Sequence, residues 1–153
     1  MKNKLNLLAI TLVLFLLLSE NSITDDNFTF ESTSIELVDN GNIIKAKNDV
    51  KIFTNNGLEI SSKQSTYSKI SKKLLLIGDV VILDNKKNIT IKSNNIEYDK
   101  VSETIISKDK TLINIDDNFN IKTKNISFLK LKNIIQSDEK SILEDNYKNV
   151  LET

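Results

Sequence analysis

The sequence predicts an all-β fold, an open roll of about four stacked β-hairpins of roughly thirty residues each, on three observations. Apolar and polar residues alternate, as in Phe28 and Phe30, then Ile35 and Leu37, then Ile44, Ala46, Val50 and Ile52, which is the period of a strand with one buried face. Equivalent positions recur, because Phe30, Ile60, Ile91 and Ile121 lie 30, 31 and 30 residues apart. No helical period interrupts the pattern between Phe28 and Leu143.

In chain order, the first element stands outside the roll. Lys2 and Lys4 precede an apolar run from Leu5 to Leu18, broken only by Asn6 and Thr11, and the polar Ser19-Glu20-Asn21-Ser22 ends it. These fourteen residues match the roughly 7 to 15 of a signal-peptide core and fall short of the roughly 20 of a membrane-spanning helix. Residues 1–22 are expected to be an export signal, or an anchor if it is retained, and residues 23–153 the exported domain.

Each unit then has two arms. Two residues after each anchor comes Ser32, Ser62, Ser93 or Thr123, and five further on comes Leu37, Tyr67, Tyr98 or Phe128. The apolar phase shifts between Phe30 and Ile35, Ile91 and Ile96, and Ile121 and Ile126, so a bulge or corner is expected there. Such a corner lets both halves of a bent strand face one interior. The second arm carries Ile44, Leu74, Ile105 and Ile135, then Ile52, Ile82, Ile113 and Leu143, and keeps its phase across a notch at Asn48, Gly78, Asp109 or Glu139. Asp39-Asn40-Gly41, Asn55-Asn56-Gly57, Asp84-Asn85-Lys86-Lys87 and Asp116-Asp117-Asn118 supply turns.

One hairpin cannot bury its own apolar face, so four must stack and bury it between two layers. The repeat does not close on itself, and edge strands with unpaired backbone groups are expected near Phe28 and near Leu143. The stretch Asn27 to Leu37 has neither the proline nor the lysine that blunt an edge, so it is expected to pair with another chain. Val150-Leu151-Glu152-Thr153 restarts the pattern, with Leu151 in the anchor column and Thr153 in the Ser/Thr column.

Composition narrows the chemistry. The 21 cations, all lysines, equal the 21 acids, which removes the basic excess of a nucleic-acid binder. Histidine, cysteine, proline and tryptophan are absent, which excludes Ser-His-Asp and Cys-His catalysis, the usual zinc sites and disulfides. Three glycines cannot make a phosphate cradle. The acid pairs Asp25-Asp26 and Asp116-Asp117 adjoin turns or the chain start, where carboxylates are ordinarily solvated, and no calcium-loop spacing recurs. No enzyme activity and no cofactor are expected.

A leader followed by units with the core G-x-V-x-I and an upstream aromatic resembles the OstA-like (LptA-type) superfamily of lipopolysaccharide-transport proteins. The clearest copy is Gly78-Asp79-Val80-Val81-Ile82, with Tyr67 and Ile60-Ser61-Ser62 before it. Asn48-Asp49-Val50-Lys51-Ile52 replaces the glycine by asparagine, which also reaches left-handed backbone. The third and fourth copies, starting at Asp109 and Glu139, have lost both glycine and valine. The resemblance implies a twisted, open β-jellyroll in the periplasm of a Gram-negative-type bacterium. Its interior would carry lipopolysaccharide acyl chains, and its ends would pair edge to edge with other Lpt-type jellyrolls, including a head-to-tail homo-oligomer. A free bridge protein, the N-terminal periplasmic domain of an outer-membrane member, and an anchored member all suit.

The residues expected to line that interior are the anchors Phe30, Ile60, Ile91 and Ile121, the second column Leu37, Tyr67, Tyr98 and Phe128, and, from the second arms, Ile44, Leu76, Val80, Ile82 and Ile105. A competing reading stays open: the same columns suit a closed β-sandwich core. The chain would then be an exported structural or adhesive repeat that binds carbohydrate or protein.

Overall fold

Alternation at period two is realised as strand along the chain. The computed structural model describes residues 21–25 and 28–153, so the expected export signal lies almost wholly outside the described residues. The strands are β1 (Asn21–Asp25), β2 (Phe28–Ser32), β3 (Ser34–Val38), β4 (Ile43–Thr54), β5 (Leu58–Ser68), β6 (Lys73–Asp84) and β7 (Ile89–Asp99). They continue as β8 (Thr104–Ser107), β9 (Thr111–Ile115), β10 (Phe119–Thr123), β11 (Ile126–Leu129), β12 (Ile134–Ser137), β13 (Ile142–Asp145) and β14 (Val150–Glu152). A single turn of 3-10 helix, Lys130–Lys132, joins β11 to β12.

All pairings are antiparallel, and long strands bend so that their halves lie in two facing layers. The first layer runs β1-β2-β4-β5-β6-β7-β9-β10-β13-β14. The second consists of β3, the other halves of β4 to β7, and β8, β11 and β12. The sheet does not close, which makes the architecture an open, twisted β-jellyroll.

The sequence columns become transverse rows. In the first layer Ile23, Phe30, Ile52, Ile60 and Ile82 are register partners in turn, and the row continues through Ile91, Ile113, Ile121, Leu143 and Leu151. In the second layer the row is Leu37, Ile44, Tyr67, Leu74, Tyr98, Ile105, Phe128 and Ile135. Both rows point inward, and all their residues except Leu37, Leu143 and Leu151 belong to one apolar cluster or pack against it.

The corner between the layers is where the phase shifts. The ladder slips between Lys47 and Val50, between Ser61 and Gln64, and between Ile77 and Val80. Asn48 and Asp49 (φ 63° and 52°) and Gly78 and Asp79 (φ 81° and 47°) are left-handed there, so the asparagine does take the glycine's place. Gly78 is further confined because a Cβ would lie 2.9 Å from the Lys63 side chain. In the later copies no residue between Ser107 and Thr111 or between Ser137 and Ser141 is left-handed, and the strand breaks instead.

The edges differ from the expectation. β2, which starts at Phe28, is covered by β1, and β13, which contains Leu143, is covered by β14. The outer strands are therefore β1 and β14 in the first layer and β3 and β12 in the second. β14 is the restart of the pattern at Val150–Glu152, with Leu151 in the anchor column, whereas β1 offers only Ile23 to the row, too little to mark a strand in the sequence.

Candidate functional site

Inward alternation brings most of the expected lining residues together. Phe30, Ile44, Ile60, Tyr67, Leu76, Val80, Ile82, Ile91, Tyr98, Ile105 and Phe128 are all buried between the layers, with Tyr67 and Tyr98 at 0% exposure. The contact across the layers is aromatic. The ring of Phe28 meets Tyr67 edge-on at 4.6 Å and Tyr98 at 6.2 Å, and Phe30 lies 6.0 Å from Tyr67. The middle of the roll is thus filled by its own side chains rather than left as an empty channel.

Two expected residues behave differently. Ile121 is only partly buried, packing against the cluster from its rim. Leu37 is 55% exposed, although its partner Ile44 and the next residue of the row, Tyr67, are buried. The reason is position: among the described residues β3 is an edge strand with no strand paired beyond it, so the inner face comes to the surface there. The same happens at the other end, where Leu151 is 57% exposed in line with the first-layer row.

The Ser/Thr column occupies the corner and satisfies the backbone that the bend frees. Ser32 donates to the Lys47 and Asn48 carbonyls at 2.6 and 3.0 Å, and Ser62 to the Gln64 carbonyl at 3.0 Å. Where the left-handed pair is missing, three hydroxyls cluster instead. Ser93, Ser107 and Thr111 lie 2.8 to 3.2 Å apart, and Thr123 lies 2.9 Å from both Ser137 and Ser141. Ser107 and Ser137, like Thr111 and Ser141, are thirty residues apart, a signal present in the sequence but not singled out.

Opposite the corner, the turns of the two layers meet along a polar seam. From the first layer come Asn56, Asp84 and Lys87; from the second, Tyr98, Lys100, Glu103, Lys130 and Asn133. Asn56 donates to the Tyr98 hydroxyl at 3.0 Å and to the Glu103 carboxylate. The Lys130 ammonium lies 2.8 Å from Asp84, with side chains 6% and 2% exposed, and 4.0 Å from Glu103. Lys100 pairs with Glu103 at 2.7 Å. Lys87 donates to the Lys130 carbonyl and the Asn133 side-chain oxygen, and its ammonium sits 5.8 Å from the Phe128 ring centre.

Burial pushes the Tyr98 phenol well above its ordinary range and the Glu103 carboxylate adds to the shift, against the hydrogen bond from Asn56. Tyr98 therefore stays neutral. Asp84 and Lys130 continue the inward alternation of Val80 and Ile82 and of Ile126 and Phe128, which is the sequence signal that marks them. The pair Asp116-Asp117 lies in the turn between β9 and β10 with both residues left-handed, and Asp26 lies outside the described residues.

The class defined by this geometry is an open β-jellyroll whose inner faces carry continuous apolar rows. No family model matches the chain, and no curated protein matches it. Solved structures do, among them the crystal structure of LptH, the LptA-homologous periplasmic component of the conserved lipopolysaccharide transport device from Pseudomonas aeruginosa. That likeness has a TM-score of 0.65 at 11% identity and covers 82% of this chain and 93% of that one. The fold is the LptA-type β-jellyroll.

Proposed function

We propose that this chain is a periplasmic component of lipopolysaccharide transport, which carries acyl chains on the inner faces of the roll and joins similar rolls edge to edge. The observation that carries this reading is the pair of unbroken inner rows that surface at the roll's ends, at Leu37 and Leu151, within an LptA-type fold. Burying a methylene group stabilises by about 0.8 kcal/mol, so a chain of about a dozen carbons gains on the order of 10 kcal/mol gross without any catalytic group. Energy for directional movement comes from elsewhere.

Edges supply the assembly. Thr153 and Ser141 exchange backbone hydrogen bonds at 3.0 Å, so by antiparallel alternation the Glu152 N–H turns away from β13 toward a further strand. At the opposite end β1 and β3 offer the complementary rows, which suits head-to-tail pairing with an Lpt-type partner or a second copy.

The filled centre favours a second reading, a self-contained exported module that binds protein or carbohydrate on its outer surface. Photo-crosslinking residues placed at Leu37, Glu152 and Lys86 separate the two. The expected result in cells is capture of lipopolysaccharide at Leu37, capture of a jellyroll protein at Glu152, and neither at Lys86. Absence of lipid at Leu37, or equal capture at all three positions, would replace the transport reading by the second one.

A further inference from the structure

The layers are joined covalently only along the corner; along the opposite side they are held by the seam of Asn56, Asp84, Lys87, Glu103 and Lys130. This closure is weak for its place. Taking Asp84 and Lys130 out of water forfeits the hydration of both ions, and apolar residues of the same volume commonly close such a site as well or better. Parting the lips would return both ions to water, whereas it would leave Phe28, Tyr67 and Tyr98 facing solvent unless something apolar entered. Opening is therefore balanced against the presence of an apolar guest.

We propose that the seam is a lateral gate for an anionic amphiphile, whose acyl chain enters between the rows as the lips part and whose phosphate or carboxylate takes the place of Asp84 beside Lys130. The inference rests on the acyl-carrying reading above. The electrostatics set the preference for an anion: once separated, Asp84 stays on the first lip, where its carboxylate and carbonyl oxygens accept from the Lys87 N–H at 3.3 and 3.1 Å. Glu103 stays on the second lip with Lys100. Lys130, on that same lip, loses the carboxylate it now contacts at 2.8 Å and keeps only Glu103 at 4.0 Å, which Lys100 holds at 2.7 Å, so the lip carries one cation in excess. Lys130 opens the 3-10 turn directly after β11, two residues beyond Phe128 and buried like it, so the cation and the apolar row are offered together.

The chain has no cysteine of its own, so Lys87→Cys with Asn133→Cys gives a unique pair across the seam. The double variant is bridged with a short bis-maleimide or capped with N-ethylmaleimide, and binding of dodecyl phosphate and dodecyl maltoside is measured for both forms and the unaltered protein. Capped protein is expected to bind dodecyl phosphate, and bridging to weaken it at least tenfold. Equal binding by bridged and capped forms overturns the gate. Should the unaltered protein bind neither amphiphile, the acyl-carrying reading falls and the gate with it. A second variant guards against a folding defect in the first: Asp84→Leu with Lys130→Met closes the seam with apolar side chains. It is expected to remain folded and to bind dodecyl phosphate at least tenfold more weakly, losing the preference over the maltoside; wild-type binding by this variant also overturns the proposal.

Discussion

The middle of the roll and its C-terminal part are built from the same repeat and end up different. In the middle, β4 to β7 are continuous strands of 11 or 12 residues, β4 and β6 bending at a left-handed pair, and the rows they carry are fully buried. Beyond Asp99 the strands have 3 to 5 residues, the corner is a break held by hydroxyl groups, and Ile121 and Ile135 are only partly covered. The difference shows that the apolar columns specify which residues face inward, while the Gly-Asp or Asn-Asp step lets the second arm of a unit run unbroken through the corner, as β4 and β6 do. Where that step is lost the topology is kept but the second arm divides into two strands, β8 and β9 or β12 and β13.

Truncating the same row at two places should give the largest contrast. Ile82→Ala removes a fully buried side chain and is expected to cost about 2–5 kcal/mol, with incomplete relaxation around the cavity. Leu143→Ala, further along the row and only partly buried, should cost under about 1 kcal/mol. Urea unfolding of both variants checks this; equal losses would mean that the C-terminal repeats are as tightly packed as the middle.

The corner gives a smaller effect. Gly78→Ala forces an L-residue into left-handed backbone and against Lys63, and about 1–2 kcal/mol should be lost. Asp109→Ala, at the matching place in the third copy, needs no left-handed conformation and should stay within about 0.5 kcal/mol of the parent protein. A large loss at Asp109 in thermal unfolding would show that the broken corner is as demanding as the bulged one.

The smallest effect concerns the last hairpin. Asp145 accepts from the Asn149 side chain at 2.8 Å and from the Tyr147 and Asn149 N–H groups at 2.9 and 2.8 Å, which hold its carboxyl below the usual range. A depressed carboxyl stabilises the turn above its unfolded-state pKa, and this contribution fades as pH falls through the folded-state pKa. Amide exchange at Tyr147 and Asn149 should therefore quicken on acidification while Ile82 is unchanged. Asn149→Ala should move the Asp145 midpoint back toward an ordinary carboxylate in an NMR titration.

What the sequence made legible follows the same physics. The rows could be read because each rung repeats the chemistry of the last at fixed spacing, and Phe30, Ile60, Ile91 and Ile121 needed only to be aligned. The left-handed role of Asn48 was legible for the same reason. The seam was not, because Asp84 and Lys87 look like turn residues, and nothing local says that Lys130, forty-six residues after Asp84, comes to meet it. The exposure of Leu37 depends on what lies next to β3 in space, which periodicity along the chain does not encode.

The transverse rows also make the molecule a ruler. Each unit adds two rungs about 4.8 Å apart, so gain or loss of one thirty-residue unit would change the roll by roughly 10 Å in length while leaving its cross-section alone. The span such a protein covers can therefore evolve by duplication in whole steps, without redesign of either face.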